Sequence, residues 1–173
     1  MIRQMFLPAA LALAACADST GTDGSEADFA SRVGTGQGTA APGTAAPGAT
    51  TASQGPPPAG ANVLAIEKLG DVSGVELGPR DGGCTFSANG EELLIAAGPA
   101  DRALAGKAAV RIGGSLIRLD TAPGGLAAIK AGTVFTGEGF SIRVRPIGER
   151  SGQLLITKGE NETRVINGDW VCA

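Results

Sequence analysis

Cysteine is the residue type through which this chain offers covalent chemistry, and it occurs at Cys16, Cys84 and Cys172. The sequence has no histidine and no tyrosine. That excludes histidine-based triads, the commonest general base and a charge switch near neutral pH. A zinc site of the usual kind also fails, since Cys84 and Cys172 without a histidine do not complete a tetrahedral ligand set. Glu91 and Glu92 are the nearest carboxylate pair. Neighbouring residues on a strand project to opposite faces, so these two read as solvated hairpin charges and not as an acid–base couple. No catalytic residue, cofactor or metal ligand is expected, and enzyme activity is not predicted.

Four arginines carry the remaining chemistry. Arg143 and Arg145 alternate with Phe140, Ile142 and Val144, which places them on the wet face of a strand. Arg111 and Arg118, from other strands, would join them in a cationic stripe. Such a stripe suits an anionic glycan, a lipid headgroup or an acidic protein. The plainer reading is the solvated side of a half-buried sheet. Nucleic acid is excluded as a partner: residues 62–173 hold 12 Lys and Arg against 13 Asp and Glu, a net of −1, without the basic footprint such binding requires.

The elements that position these residues begin at the N-terminus. Arg3 supplies a positive charge, and Met5 to Ala15 form an alanine- and leucine-rich run interrupted by Pro8. At about 11 residues the run is too short for a membrane-spanning helix, which needs roughly 20. Leu13-Ala14-Ala15-Cys16 closes it. This segment resembles the signal peptide of a bacterial lipoprotein with its lipobox. The resemblance implies cleavage after residue 15, a diacylglyceryl group on the Cys16 sulfur, and a membrane anchor through that lipid. Each buried CH₂ contributes about 0.8 kcal/mol, so two or three acyl chains hold a protein essentially permanently. Ala17 lacks the Asp of the inner-membrane retention signal of enteric-type bacteria, which favours the outer membrane, facing the periplasm. With Cys16 carrying lipid, Cys84 and Cys172 remain to pair as a disulfide, consistent with an oxidising compartment.

Residues 16–61 form the lipidated N-terminus and a Gly/Ala/Pro/Thr linker. Thr39-Ala40-Ala41-Pro42-Gly43 repeats at once as Thr44-Ala45-Ala46-Pro47-Gly48, and Pro56-Pro57-Pro58 follows. The segment has too little apolar bulk to offset ordering entropy and is expected to be disordered. As a flexible coil its roughly 45 residues reach about 35–40 Å. Residues 26–33 are read as a helix too short to stand alone.

Residues 62–173 form the domain. Short apolar runs are punctuated by glycine at hairpin spacing, and Asn89-Gly90 and Gly113-Gly114 are strong two-residue turn signals. Val63–Ile66 and Val72–Leu77 read as early elements, Gly125–Lys130 as a helical turn, and Asn167-Gly168 as a last turn before Trp170-Val171-Cys172. Trp170 is expected to pack beside the bridge. The expectation is an all-β domain of about eight strands, antiparallel because the connections are too short for crossovers, closed as a small barrel or sandwich.

Cys84-Thr85-Phe86 and the terminal Cys172 give the domain a looser similarity to membrane-bound inhibitors of C-type lysozyme, which are lipid-anchored, disulfide-closed β-barrels. The Ser-Gly-Ser-Gly-like loop and the aromatic residues of that pattern are absent, so no inhibitory residue carries over. The leading expectation is a lipid-anchored envelope domain that binds a protein or glycan. A lysozyme-inhibitor-like module and a hydrolase of unrecognised type are the alternatives.

Overall fold

The computed structural model describes residues 55–173. Cys16, the expected leader, the 26–33 segment and most of the expected linker lie outside the described residues. Eight strands run in sequence order around a closed barrel: β1 (Gly82–Ala88), β2 (Glu91–Gly98), β3 (Ala105–Ile112), β4 (Ser115–Pro123), β5 (Val134–Gly137), β6 (Phe140–Pro146), β7 (Ser151–Lys158) and β8 (Glu162–Cys172). Every pairing is antiparallel, including the seam where β8 returns to β1. The expected antiparallel all-β fold is thus a barrel and not a sandwich, and closure leaves no unpaired edge. One helix, α1 (Gly125–Ala131), follows β4 where the sequence suggests a helical turn.

Turn chemistry explains most of the strand order. Asn89 and Gly90 have φ of 54° and 76°, and Gly113 and Gly114 have 56° and 76°, the positive pairs that tight hairpins need. Asn167-Gly168, expected as a turn, instead lies inside β8, which runs unbroken from Glu162 to Cys172. A Cβ at Gly168 would run into the Ser87 carbonyl oxygen and meet the Phe86 ring at 2.9 Å. The glycine there serves a close crossing of β8 over β1, and bends nothing.

The interior follows the period of two. Phe140, Ile142 and Val144 of β6 are buried while Arg143 and Arg145 are exposed. Phe86, Leu94, Val110, Leu119, Phe135, Leu154 and Ile156 join them in one core cluster, and each such side chain contributes about 1.5–3 kcal/mol by leaving water. A bulge puts both Leu93 and Leu94 into that cluster: Phe86 pairs with Leu94, but Ser87 pairs with Glu92. Ile129 of α1 corks the end where β1 starts and β2 finishes. Gly98 and Gly106 make room for it, since a Cβ on either would lie within 2.8 Å of Ile129 Cδ1. Val63 joins the core from the opposite end, with Ala61, Leu64 and Ile66 packed beside it. Ala61 thus already packs on the core, ahead of the expected start at Asn62.

Cys84 and Cys172 are bonded (S–S 2.06 Å) and face each other directly across the β1–β8 seam, 4.0 Å between Cα atoms. The expected bridge therefore joins the first strand to the last. Trp170 is buried in the same cluster as Cys84, as expected.

Residues 62–78 differ most from the sequence reading. Val63–Ile66 form a turn in which the Leu64 N–H donates to Asn62 Oδ1 at 3.0 Å. Val72–Leu77 are no strand; the chain turns there, with the Val75 N–H donating to the Val72 carbonyl at 3.0 Å. Leu69, Val72, Val75 and Leu77, none more than 3 % exposed, pack on the outer side of the barrel against Ile95, Ala97, Ala109 and Leu116. This strap explains why β2 and β3 read as continuous apolar runs: both faces are covered.

Candidate partner-binding surface

The strap divides the four predicted arginines into two pairs. Arg111 and Arg118 lie on the outer faces of β3 and β4, diagonal to one another, since Arg111 pairs with Leu116 and Arg118 with Ala109. Both reach toward the strap. Arg111 Nε donates to the Leu69 carbonyl at 2.8 Å, Nη1 to the Gly114 carbonyl at 2.7 Å, and Nη2 to the Asp71 carbonyl at 3.4 Å. Arg118 Nη1 donates to the Glu76 carbonyl at 3.2 Å. A fixed guanidinium fork holding several carbonyls is a clamp on irregular backbone that has no ladder of its own. Glu67 adds to it by pairing with Arg111 and accepting the Gly114 N–H at 3.0 Å. Asp71 fixes the strap's turn by accepting the Ser73 N–H at 2.9 Å. That bond, the Ser73 hydroxyl and, to a smaller degree, the Arg111 charge hold its carboxyl below the ordinary 3.8.

Arg143 and Arg145 sit elsewhere. Arg143 pairs with Val134 and Leu155, and Arg145 with Gln153. Strand β5 separates them from Arg118, and the register places Arg143 toward the end of the barrel that α1 corks. The four arginines therefore form no single stripe. Neither Arg143 nor Arg145 has a hydrogen-bond or ion-pair partner among the described residues. On one face of a strand, two residues apart, their Cα atoms are about 7 Å from each other.

The wall around them, β5 to β8, carries no strap among the described residues. Reading outward-facing residues across the strands gives three rows. Thr136, Ser141, Thr157 and Thr163 form a hydroxyl row, with Thr157 and Thr163 Oγ1 atoms 3.4 Å apart. Val134, Arg143, Leu155 and Val165 form an apolar row with one cation. Arg145, Gln153 and Asn167 form the third, where Gln153 Nε2 donates to Asn167 Oδ1 at 3.0 Å. At the arginine corner a groove of about 320 Å³ opens between residues 131–134 and 143–146. Gly132, with a φ of 87°, lines it and lies so close to β6 that a Cβ would meet the Val144 carbonyl at 2.6 Å.

The surface has no stacking platform. Phe86, Phe135, Phe140 and Trp170, the aromatic side chains of the described residues, are all buried. Among the described residues no group of three or more His, Cys, Asp or Glu side chains is placed to hold a metal ion, and no helix is long and apolar enough to cross a membrane. The sequence does not distinguish the two arginine pairs, because the strap that recruits Arg111 and Arg118 lies some forty residues before them and carries no local signal of where it packs. Comparison with protein families, curated proteins and solved structures found no match.

Proposed function

We propose that this small β-barrel is a non-enzymatic recognition module of the bacterial cell envelope, held at the outer membrane by lipid on Cys16 and presented to the periplasm on a tether. One observation carries the recognition half: among the described residues, the chain covers the β2–β4 side of its own barrel and leaves the β5–β8 side open, with two unpartnered arginines at its corner. Clamped cations stabilise a fold, whereas free ones on a rigid wall are available to a partner. A protein fits this wall better than a glycan does. Sugar faces are usually read by exposed aromatics, and the outward features here are exposed Val165, half-buried Leu155, hydroxyls, amides and guanidinium groups.

A photo-crosslinking residue placed at Thr157, on the open wall, tests this in the native envelope. The expected result is a discrete adduct at Thr157 that is absent when the same residue is placed at Glu76, on the strap. Equal adducts at both positions, or none at Thr157, would overturn the assignment of the wall.

A lysozyme-inhibitor-like activity has the closed barrel and the first-to-last bridge in its favour. Retarded lysis of peptidoglycan by the purified protein would establish it. A hydrolase reading requires converging carboxylates, and the groove of residues 131–134 and 143–146 has none.

A further inference from the structure

We infer that the groove at the Arg143–Arg145 corner takes an acidic, extended peptide segment of a protein partner, with alternate carboxylates on the two guanidinium groups. This rests on the reading of the β5–β8 wall as the recognition surface, and adds the chemistry of the ligand.

Spacing supplies the first argument. Residues i and i+2 of any extended chain repeat at about 7 Å, so a segment lying along β6 with acidic residues at every second position meets Arg143 and Arg145 in register. Each guanidinium offers a planar fork suited to carboxylate. Charge supplies the second. The outward residues of β5 to β7 within this wall include no carboxylate, and Asp169 is the acidic residue among those of β8 between Thr163 and Val171. Asp169 lies two strands across from Arg145 and further along, since Arg145 pairs with Gln153 and Gln153 with Asn167. Glu149 of the β6–β7 turn is the carboxylate nearest in sequence, but neither arginine forms an ion pair with it or with any other described carboxylate, and Lys130 in the last turn of α1 adds to the positive charge. Shape supplies the third. The groove runs between residues 131–134 and 143–146 and is lined by both arginines, so a segment seated in it lies against both guanidinium groups. The barrel has no free edge, so the segment docks on side chains and groove backbone and does not extend the sheet.

The test uses the purified full-length chain and a short synthetic peptide alternating Glu and Thr. Its Gln–Thr counterpart and inorganic phosphate serve as comparison probes. Binding is followed by NMR through the amides of Gly132, Thr133 and Leu155. The acidic peptide should shift these amides, and Arg143→Ala/Arg145→Ala should weaken it about tenfold. The Arg150→Ala control should leave affinity unchanged, and raising salt should weaken binding. Equal binding of the Gln–Thr peptide, or unchanged affinity in the double variant, would overturn the inference. So would phosphate competing as well as the peptide, since that would mean a site for single anions. The amide spectrum of the double variant shows independently that it is folded. If a partner still crosslinks at Thr157 while the acidic peptide fails, the wall stands as the recognition surface and only the ligand chemistry falls.

Discussion

Opening the bridge at the seam gives the sharpest quantitative expectation. The bonded cysteines are 88 residues apart, and for a loop of that length the chain-entropy relation gives about 4.6 kcal/mol at 25 °C. Native bridges more often contribute about 2–4 kcal/mol, because unfolded chains retain some structure. The folded state, by contrast, should survive reduction. Thr85, Phe86 and Ser87 stay paired with Val171, Trp170 and Asp169, and both ends of the barrel remain corked by Ile129 and Val63. Trp170 makes the assay convenient: it is the sole tryptophan, it is 4 % exposed, and it lies two residues from Cys172. Urea titrations followed by its emission, with and without dithiothreitol, should show the same buried emission at zero urea and a loss of about 2–4 kcal/mol in unfolding free energy. Cys84→Ala/Cys172→Ala should behave likewise, apart from a small added cavity cost. Two results would refute the reasoning. A change below about 1 kcal/mol would mean the bridge constrains little of the unfolded chain. Solvent-exposed emission in the reduced protein without urea would mean the seam pairing has no strength of its own.

Other expectations follow from single positions. Gly168→Ala, whose Cβ has nowhere to go between Ser87 and Phe86, should cost about 1–3 kcal/mol through overpacking. Gly90→Ala has open space but a φ of 76°, and should cost about 1–2 kcal/mol by backbone strain alone; thermal denaturation of both separates the two causes, since Gly90→Asn should restore stability and Gly168→Asn should not. Arg111→Met removes donors from Leu69, Asp71 and Gly114 and should destabilise by about 1.5–3 kcal/mol, with earlier proteolytic cutting in residues 69–78 as the visible sign. Asp71 is more acidic folded than unfolded, so its contribution is complete above 3.8 and fades as pH falls through the lowered value. Wild-type protein should lose strap protection in hydrogen exchange on acidification below that point, and Asp71→Asn should not show the same step.

Much of this fold was legible because its turns and alternation are local. Asn89-Gly90 and Gly113-Gly114 do what their φ freedom suggests, and Phe140-Ser141-Ile142-Arg143-Val144-Arg145 alternates as a half-buried strand must. Asn167-Gly168 carries the same dipeptide for a different reason. Glycine marks a turn or a close approach alike, and which one depends on the Phe86 ring some eighty residues away in the chain. Val72–Leu77 was legible as an apolar element, but its form was not. Its apolar residues are spaced to face a wall, and sequence does not say whether that wall is shared with neighbouring strands or lies beneath an irregular strap. The arginines were legible as outward cations, and Arg143 and Arg145 were placed correctly on the wet face of β6. That Arg111 and Arg118 are committed to strap carbonyls depended on contacts some forty residues apart in the chain, which no local pattern reports.

The proposed function requires that lipid on Cys16 hold a bridged barrel at the envelope. Intact mass spectrometry of the protein, extracted by detergent from membranes of the producing bacterium under non-reducing conditions with thiols alkylated, tests it most directly. The expected species is a chain beginning at Cys16 that carries acyl chains and takes up no alkylating reagent. A full-length or unacylated chain recovered without detergent, or alkylation at Cys84 or Cys172, would contradict it.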